Sequence, residues 1–320
     1  MGAFITKISS WGGESASSFY KIMGLTTGYI NSRGIFGGGN TGSSSNVIDY
    51  VTISTAGNAV DFGDLTSAKY LLAANSNGIS GRGLFGGGTS SINVIEYVTI
   101  NSTGNAVDFG DLTQGRGQLA ATSNGTNDRG LFGGGNASSV IDYVTISTAG
   151  NATSFGEFSP ITIRYDLAAT SNGTNERGIF AGGKDDFDTN NYLSYRTISS
   201  TGNAINYGSL LSDIYSLAAT SNGTNERGIY GGGVSDSNVI QYSTISTLGN
   251  AVDFGDLTQG REGLSATSNG TNERGVFVGG YYITTNQNII DYITINSTGN
   301  ATDFGDLTVS RRLLAATSNA

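Results

Sequence analysis

Apolar and polar residues along this chain alternate in short runs of about five to seven positions, separated by clusters of Gly, Asn, Ser and Thr. Side chains of an extended strand point alternately to its two faces, so the runs predict β-strands and the clusters predict turns. In VIDYVTI, Val47, Asp49, Val51 and Ile53 share one face, and Ile48, Tyr50 and Thr52 share the other. Both faces carry apolar bulk, which requires a sheet covered on both sides. No window shows the three- and four-residue apolar spacing, with caps, that a helix needs.

The strand pattern repeats. Arg33, Arg82, Arg129, Arg177, Arg227 and Arg274 each open an Arg-Gly-apolar-aromatic run that ends in small or apolar residues, as in RGIFGGG and RGVFVGG, with spacings of 49, 47, 48, 50 and 47 residues. Four strands per unit follow, here lettered a (LAATS), b (RGLFGG), c (VIDYVTI) and d (AVDFGDL). Four-stranded sheets stacked around an axis satisfy the need for two covered faces, whereas the coils of a β-solenoid are about half this length. Small residues in strand a, such as Ala73 and Ala74, suit the crowded axis, and the aromatic before the glycines fills the gap between neighbouring sheets. The expected fold is all-β, a β-propeller of six four-stranded blades, with seven as the alternative.

Composition narrows the chemistry. The 320 residues include 50 Gly and a single Pro, with no Cys and no His, so disulfides, thiolate or imidazole metal centres and His-assisted nucleophiles are excluded. The net charge of -9 comes without a basic run, which argues against nucleic-acid binding. The first twenty residues have no apolar signal-peptide core, and no apolar stretch reaches about 18 residues, so neither a Sec-type signal nor membrane insertion is expected.

The order of a small-residue strand, an apolar strand ending in glycines, a Tyr-bearing strand and a shorter aromatic strand resembles kelch-type propellers over residues 21–320. Phe62, Phe109, Phe155, Tyr207, Phe254 and Phe304 stand where kelch repeats carry Trp. The wording NVIDYVTISTAGNAVDFGDLT (Asn46 to Thr66), with LAATSNGTNERGIF (Leu167 to Phe180), is similar to repetitive virion proteins of marine and cyanobacterial tailed phages. That resemblance implies a non-enzymatic structural protein of a virion, made in the host cytoplasm, that forms a fibre, appendage or capsid decoration. Its implied partners are itself, other virion proteins and a host-surface glycan. The alternatives are an extracellular bacterial filament or adhesin built from propellers, and, third, a carbohydrate-active enzyme on a kelch scaffold.

Strands b, c and d occur six times, but strand a occurs seven times if Lys21–Gly28 is counted with Leu313–Asn319. Either the terminal strand completes the first sheet and closes the ring, or it is free to pair with another chain. Residues 1–20, with the only Trp, Trp11, form an assembly segment or partial blade, and Leu313 and Leu314 join Trp11 as assembly candidates.

No catalytic or cofactor-binding residues are expected. The paired acids of DFGD, such as Asp61 and Asp64, offer calcium as an alternative to simple turn closure. The repeated Arg, preceded by Asp128, Glu176, Glu226 or Glu273, reads as a strut between blades, with an anion-binding ring as the alternative. Binding is expected where the repeat breaks, in two b-to-c loops that carry Asp185, Asp186, Phe187 and Asp188, and Tyr281 and Tyr282.

Overall fold

Alternation produces the expected strands, and the side chains between them decide how the sheets stack. The computed structural model describes residues 32–136, 138–159 and 163–320. Trp11, residues 1–20 and the strand copy at Lys21–Gly28 lie outside them. The described unit holds four four-stranded sheets, one eight-stranded sheet and a two-stranded hairpin, and its only helices are three-residue turns. Within each repeat, strand b pairs antiparallel with a and with c, and c with d, as in Ala73–Ser76, Arg82–Gly86, Val94–Thr99 and Val107–Asp111. The a strands neighbour one another in a closed circle, from Ala73–Ser76 through Ala120–Ser123, Ala168–Ser171, Ala218–Ser221, Ser265–Ser268 and Ala315–Ser318 back to the first. This is a β-propeller-like arrangement.

The last strand of the chain completes the first sheet. Ala315–Ser318 pairs antiparallel with Arg33–Gly37, placing Gly34 opposite Ser318 and Gly37 opposite Ala315. The terminal strand is therefore occupied and is not an open template for another chain. In the eight-stranded sheet, the third and fourth repeats meet at their outer edges. There Thr153–Ser159 runs on past Gly156, and Phe158 and Ser159 pair in parallel with Ala204 and Ile205.

Close contact between sheets depends on an aromatic ring lying on a glycine. A Cβ at Gly37 would sit 2.6 Å from the Phe85 ring, and one at Gly86 2.7 Å from Phe132, so at these positions a side chain would push the ring away. Each such ring is fully buried, and full burial of one Phe is worth roughly 1.5–3 kcal/mol. The fourth and sixth repeats carry Ala181 and Val278 in the glycine position.

The repeated Arg is a strut. Arg82 Nη1 donates to the carbonyls of Ile146 (3.0 Å) and Ser147 (2.8 Å) in the next repeat, while its guanidinium lies 4.4 Å from the Tyr97 ring centre. Arg274 makes the same tie to Ile53 and Ser54 and so spans the junction between the last and first repeats. The preceding acid is a second strut: the Glu226 carboxylate accepts from Asn172 and Asn175 of the neighbouring repeat.

A third tie is buried. The chain crossing between repeats brings Arg116, Arg261 and Arg311 to Asp142, Asp291 and Asp49 at 2.9, 2.8 and 2.8 Å, and Lys69 to Glu96, all without exposed side-chain surface. The acids also accept from the incoming connection, as Asp142 does from the Thr113 hydroxyl at 2.7 Å. Two repeats depart from this rule. Ile214 and Gln241 replace both charges in one, and in the other Arg164 faces Ser194 instead of an acid. Burial without a carboxylate pushes the Arg164 guanidinium down to about 9.

Candidate functional site

The connections carrying the buried bases reach the axis two residues later, at Leu71, Gln118, Asp166, Ser216, Gly263 and Leu313. Each of these amides donates to the carbonyl of its counterpart in the preceding repeat, from Gln118 to Leu71 (2.9 Å) round to Leu71 to Leu313 (2.9 Å). Six hydrogen bonds thus form a closed ring of peptide groups about the axis. All six residues have left-handed backbone, with φ between 53° and 62°. Five are not glycine, and a side chain in that region costs roughly 1 kcal/mol or more, which the ring of bonds offsets.

Above this ring lies a mouth of about 220 Å³. Its lining is irregular where the struts are uniform: Leu71 and Leu313 are apolar, Gly263 is bare, Gln118, Asp166 and Ser216 are polar, and Glu262 and Arg312 stand at the side. A rim follows, built where the residue after each strand-b glycine pair meets the residue before the ring position. Lys184 exchanges backbone bonds with Tyr165, Tyr281 with Glu262, and Asn40 with Arg312.

Both signs of charge meet here. Asp166 accepts from the Gln118 amide at 2.7 Å and pairs with Lys184 at 3.3 Å. The Lys184 ammonium lies 4.2 Å from the centre of the Tyr215 ring and 5.2 Å from that of Tyr165, and the Arg312 guanidinium 4.0 Å from that of Tyr281. Burial holds the Asp166 carboxyl above its ordinary range, against the pull of Gln118 and Lys184. Glu262 is also raised, first by burial and then by the Asp236 and Asp166 charges, with Arg312 opposing. The polar lining, the cations and three tyrosines can hold a small polar ligand, and the apolar ring positions give it a greasy floor.

The two irregular loops flank this mouth. Asp185 spends its carboxylate on the loop itself, accepting from the amides of Phe187 and Asp188 at 2.8 Å each, and these bonds hold it below the ordinary carboxylate range. Asp186 and Asp188 are exposed, and Phe187 projects with 92% of its surface in solvent. Tyr281 and Tyr282 form a two-stranded hairpin with Thr285 and Asn286, and the Ile283 amide reaches Asp236 of the intervening repeat at 3.3 Å. Leu314 is core, packed among Phe36, Phe304 and Val278, while Leu313 belongs to the peptide ring and mouth. In DFGD, the Asp64 N–H donates to the Asn105 side chain of the next repeat at 3.0 Å, a tie between repeats that uses the backbone and not the carboxylate. Among the described residues no group of three or more acids is arranged to hold a metal ion.

The buried bases and the mouth escaped the sequence reading. A signal existed for both. Lys69, Arg116, Arg164, Arg261 and Arg311 stand three residues before the Leu of strand a, and the two positions between differ from repeat to repeat while their surroundings do not.

The fold and site define a repeat-built, propeller-like ring with one chemically varied axial mouth. No protein-family model matches the chain, and no curated protein matches it.

Proposed function

We propose that the chain is a propeller of six kelch-like blades, with two blades sharing the eight-stranded sheet, and that it is a non-enzymatic structural component of a virion. It serves in a fibre, appendage or capsid decoration and presents its mouth and flanking loops to a host surface. The observation that carries this reading is a division of labour. The Arg, Asn–acid and buried base–acid ties recur around the ring and use their charges as struts, while the repeats diverge at the mouth. A rigid ring with one varied face suits display and binding, and the Asp166 carboxylate is engaged by Gln118 and Lys184 instead of being set against a nucleophile. The likeness of the repeat wording to repetitive phage virion proteins supports the setting.

Antibodies against the chain, applied to purified particles in the electron microscope, test the proposal. Labelling at a regular position on intact particles is the expected result. Labelling confined to bacterial filaments would move the assignment to an extracellular adhesin.

A further inference from the structure

We propose that the axial mouth binds a single neutral saccharide unit, whose hydroxyls are taken by Gln118, Asp166, Ser216 and Glu262 and whose apolar face rests on Leu71 and Leu313. The inference deepens the reading of the mouth as the binding face. Three observations carry it.

The first is size. A cavity of about 220 Å³ lies below the roughly 300 Å³ at which drug-sized pockets begin, and the spaces that continue along the axis past the ring positions are smaller, about 80 and 110 Å³, so one small ring fits at the mouth. The rest of a glycan would lie across the rim, where Lys184 and Tyr281 stand.

The second is charge. Two acids of the lining, Asp166 and Glu262, stand against two cations, Arg312 in the lining and Lys184 at 3.3 Å from Asp166, so the mouth carries no net formal charge. Such a site has little to gain from an ion of either sign. It does offer carboxylate acceptors beside amide, hydroxyl and cationic donors, and a sugar hydroxyl needs a donor and an acceptor together.

The third is the mixture on the floor. Leu71, Leu313 and bare Gly263 occupy half of the ring, and Gln118, Asp166 and Ser216 the other half. A pyranose has the same division, with C–H groups on its faces and hydroxyls at its edge. The left-handed backbone at all six positions fixes where these side chains begin, so the floor is preformed. One unit bound this way binds weakly, and many copies on a particle raise the effective affinity by linkage alone.

Saturation-transfer NMR on the full chain is the test, with neutral hexoses and N-acetylhexosamines as probes and sialic acid and spermidine as charged controls. At least one neutral sugar should saturate. Gly263→Gln places in the mouth the residue that its own repeat-mate, Gln118, already carries at the same φ, and it should abolish the signal. Asp166→Asn should weaken binding roughly tenfold. Circular dichroism melts show that the variants fold, and Phe187→Ala, outside the cavity, should retain binding of the free monosaccharide. Saturation by no neutral sugar, persistence of binding in Gly263→Gln, or preference for sialic acid or spermidine would each overturn the proposal. A chain that labels particles yet binds no sugar defeats this inference and leaves the virion assignment standing. The converse result defeats only the assignment.

Discussion

Single residues show what the buried charges contribute. Ile214 with Gln241 is a charge-free version of Arg311 with Asp49, built by the same chain at the same place in the repeat. Removing one partner of a buried pair leaves an uncompensated charge, so Arg311→Ile alone or Asp49→Gln alone should cost about 3–5 kcal/mol in denaturant unfolding. The double variant should recover most of that loss, because apolar replacement of a whole buried pair is close to neutral. Arg164 is the opposite case, a cation in the core without an acid. Ser194→Asp supplies one in the geometry of Asp142 and should raise stability by about 1–3 kcal/mol. Tyr230 replaces the usual Phe and shares a 3.0 Å hydrogen bond with Ser243, and burial holds its phenol well above the ordinary value. The folded chain then keeps a proton that the unfolded chain releases, so its contribution is intact below about pH 10 and lost as pH rises further. The stability difference between wild type and Tyr230→Phe, followed from about pH 9 to about pH 11, should shift against wild type as pH rises.

At the level of elements, the closing strand decides whether the ring is a ring. Asn319 accepts from the Arg33 amide at 2.7 Å and donates to the Asn101 side chain at 2.6 Å, the same bracing that Asn124 and Asn172 give in their repeats. Asn319→Ala removes both bonds and leaves a half-buried N–H unpaired, at a cost of about 1–3 kcal/mol. Amide hydrogen exchange should show faster opening in Arg33–Gly37 than in Arg177–Ala181, because the first sheet alone is held by a strand from the far end of the chain. Equal protection of the two strands would count against a special role for the closure. The strands themselves were readable from alternation, and strand c was placed within a residue or two of Val47–Thr52. What alternation hid was the buried Asp49: its position in the pattern marks it as inward, but its partner lies 262 residues away.

For the whole molecule, Ser318 and Arg33 flank the place where four other repeats have a Gly-Thr-Asn turn and the second has Gly78–Ser80. A chain permuted to join Ala320 to Ser32 through an added Thr-Asn pair, which restores the length of that turn, and opened between Gly125 and Thr126 keeps the bond from the Ile53 amide to the Ser32 carbonyl and gives up only the opened turn. It should unfold in one transition, with a midpoint within a few degrees of the parent 32–320 unit by calorimetry. Separate transitions would mean that the repeats are not held as one ring.

The sequence by itself determined the strands, the repeat and the struts, because these depend on side-chain period and on residue types that recur at one spacing. Arg82 over Tyr97, and Phe85 against Gly37, could be anticipated from a single unit repeated. The tertiary structure alone decided that the last strand pairs with the first and that the third and fourth repeats join at their edges. It also decided that Leu71, Gln118, Asp166, Ser216, Gly263 and Leu313 meet on one axis. These residues lie about one repeat apart in the chain, and only closing the ring makes them neighbours. The irregularities that read as loops along the sequence became, once the circle closed, the flank of a single mouth.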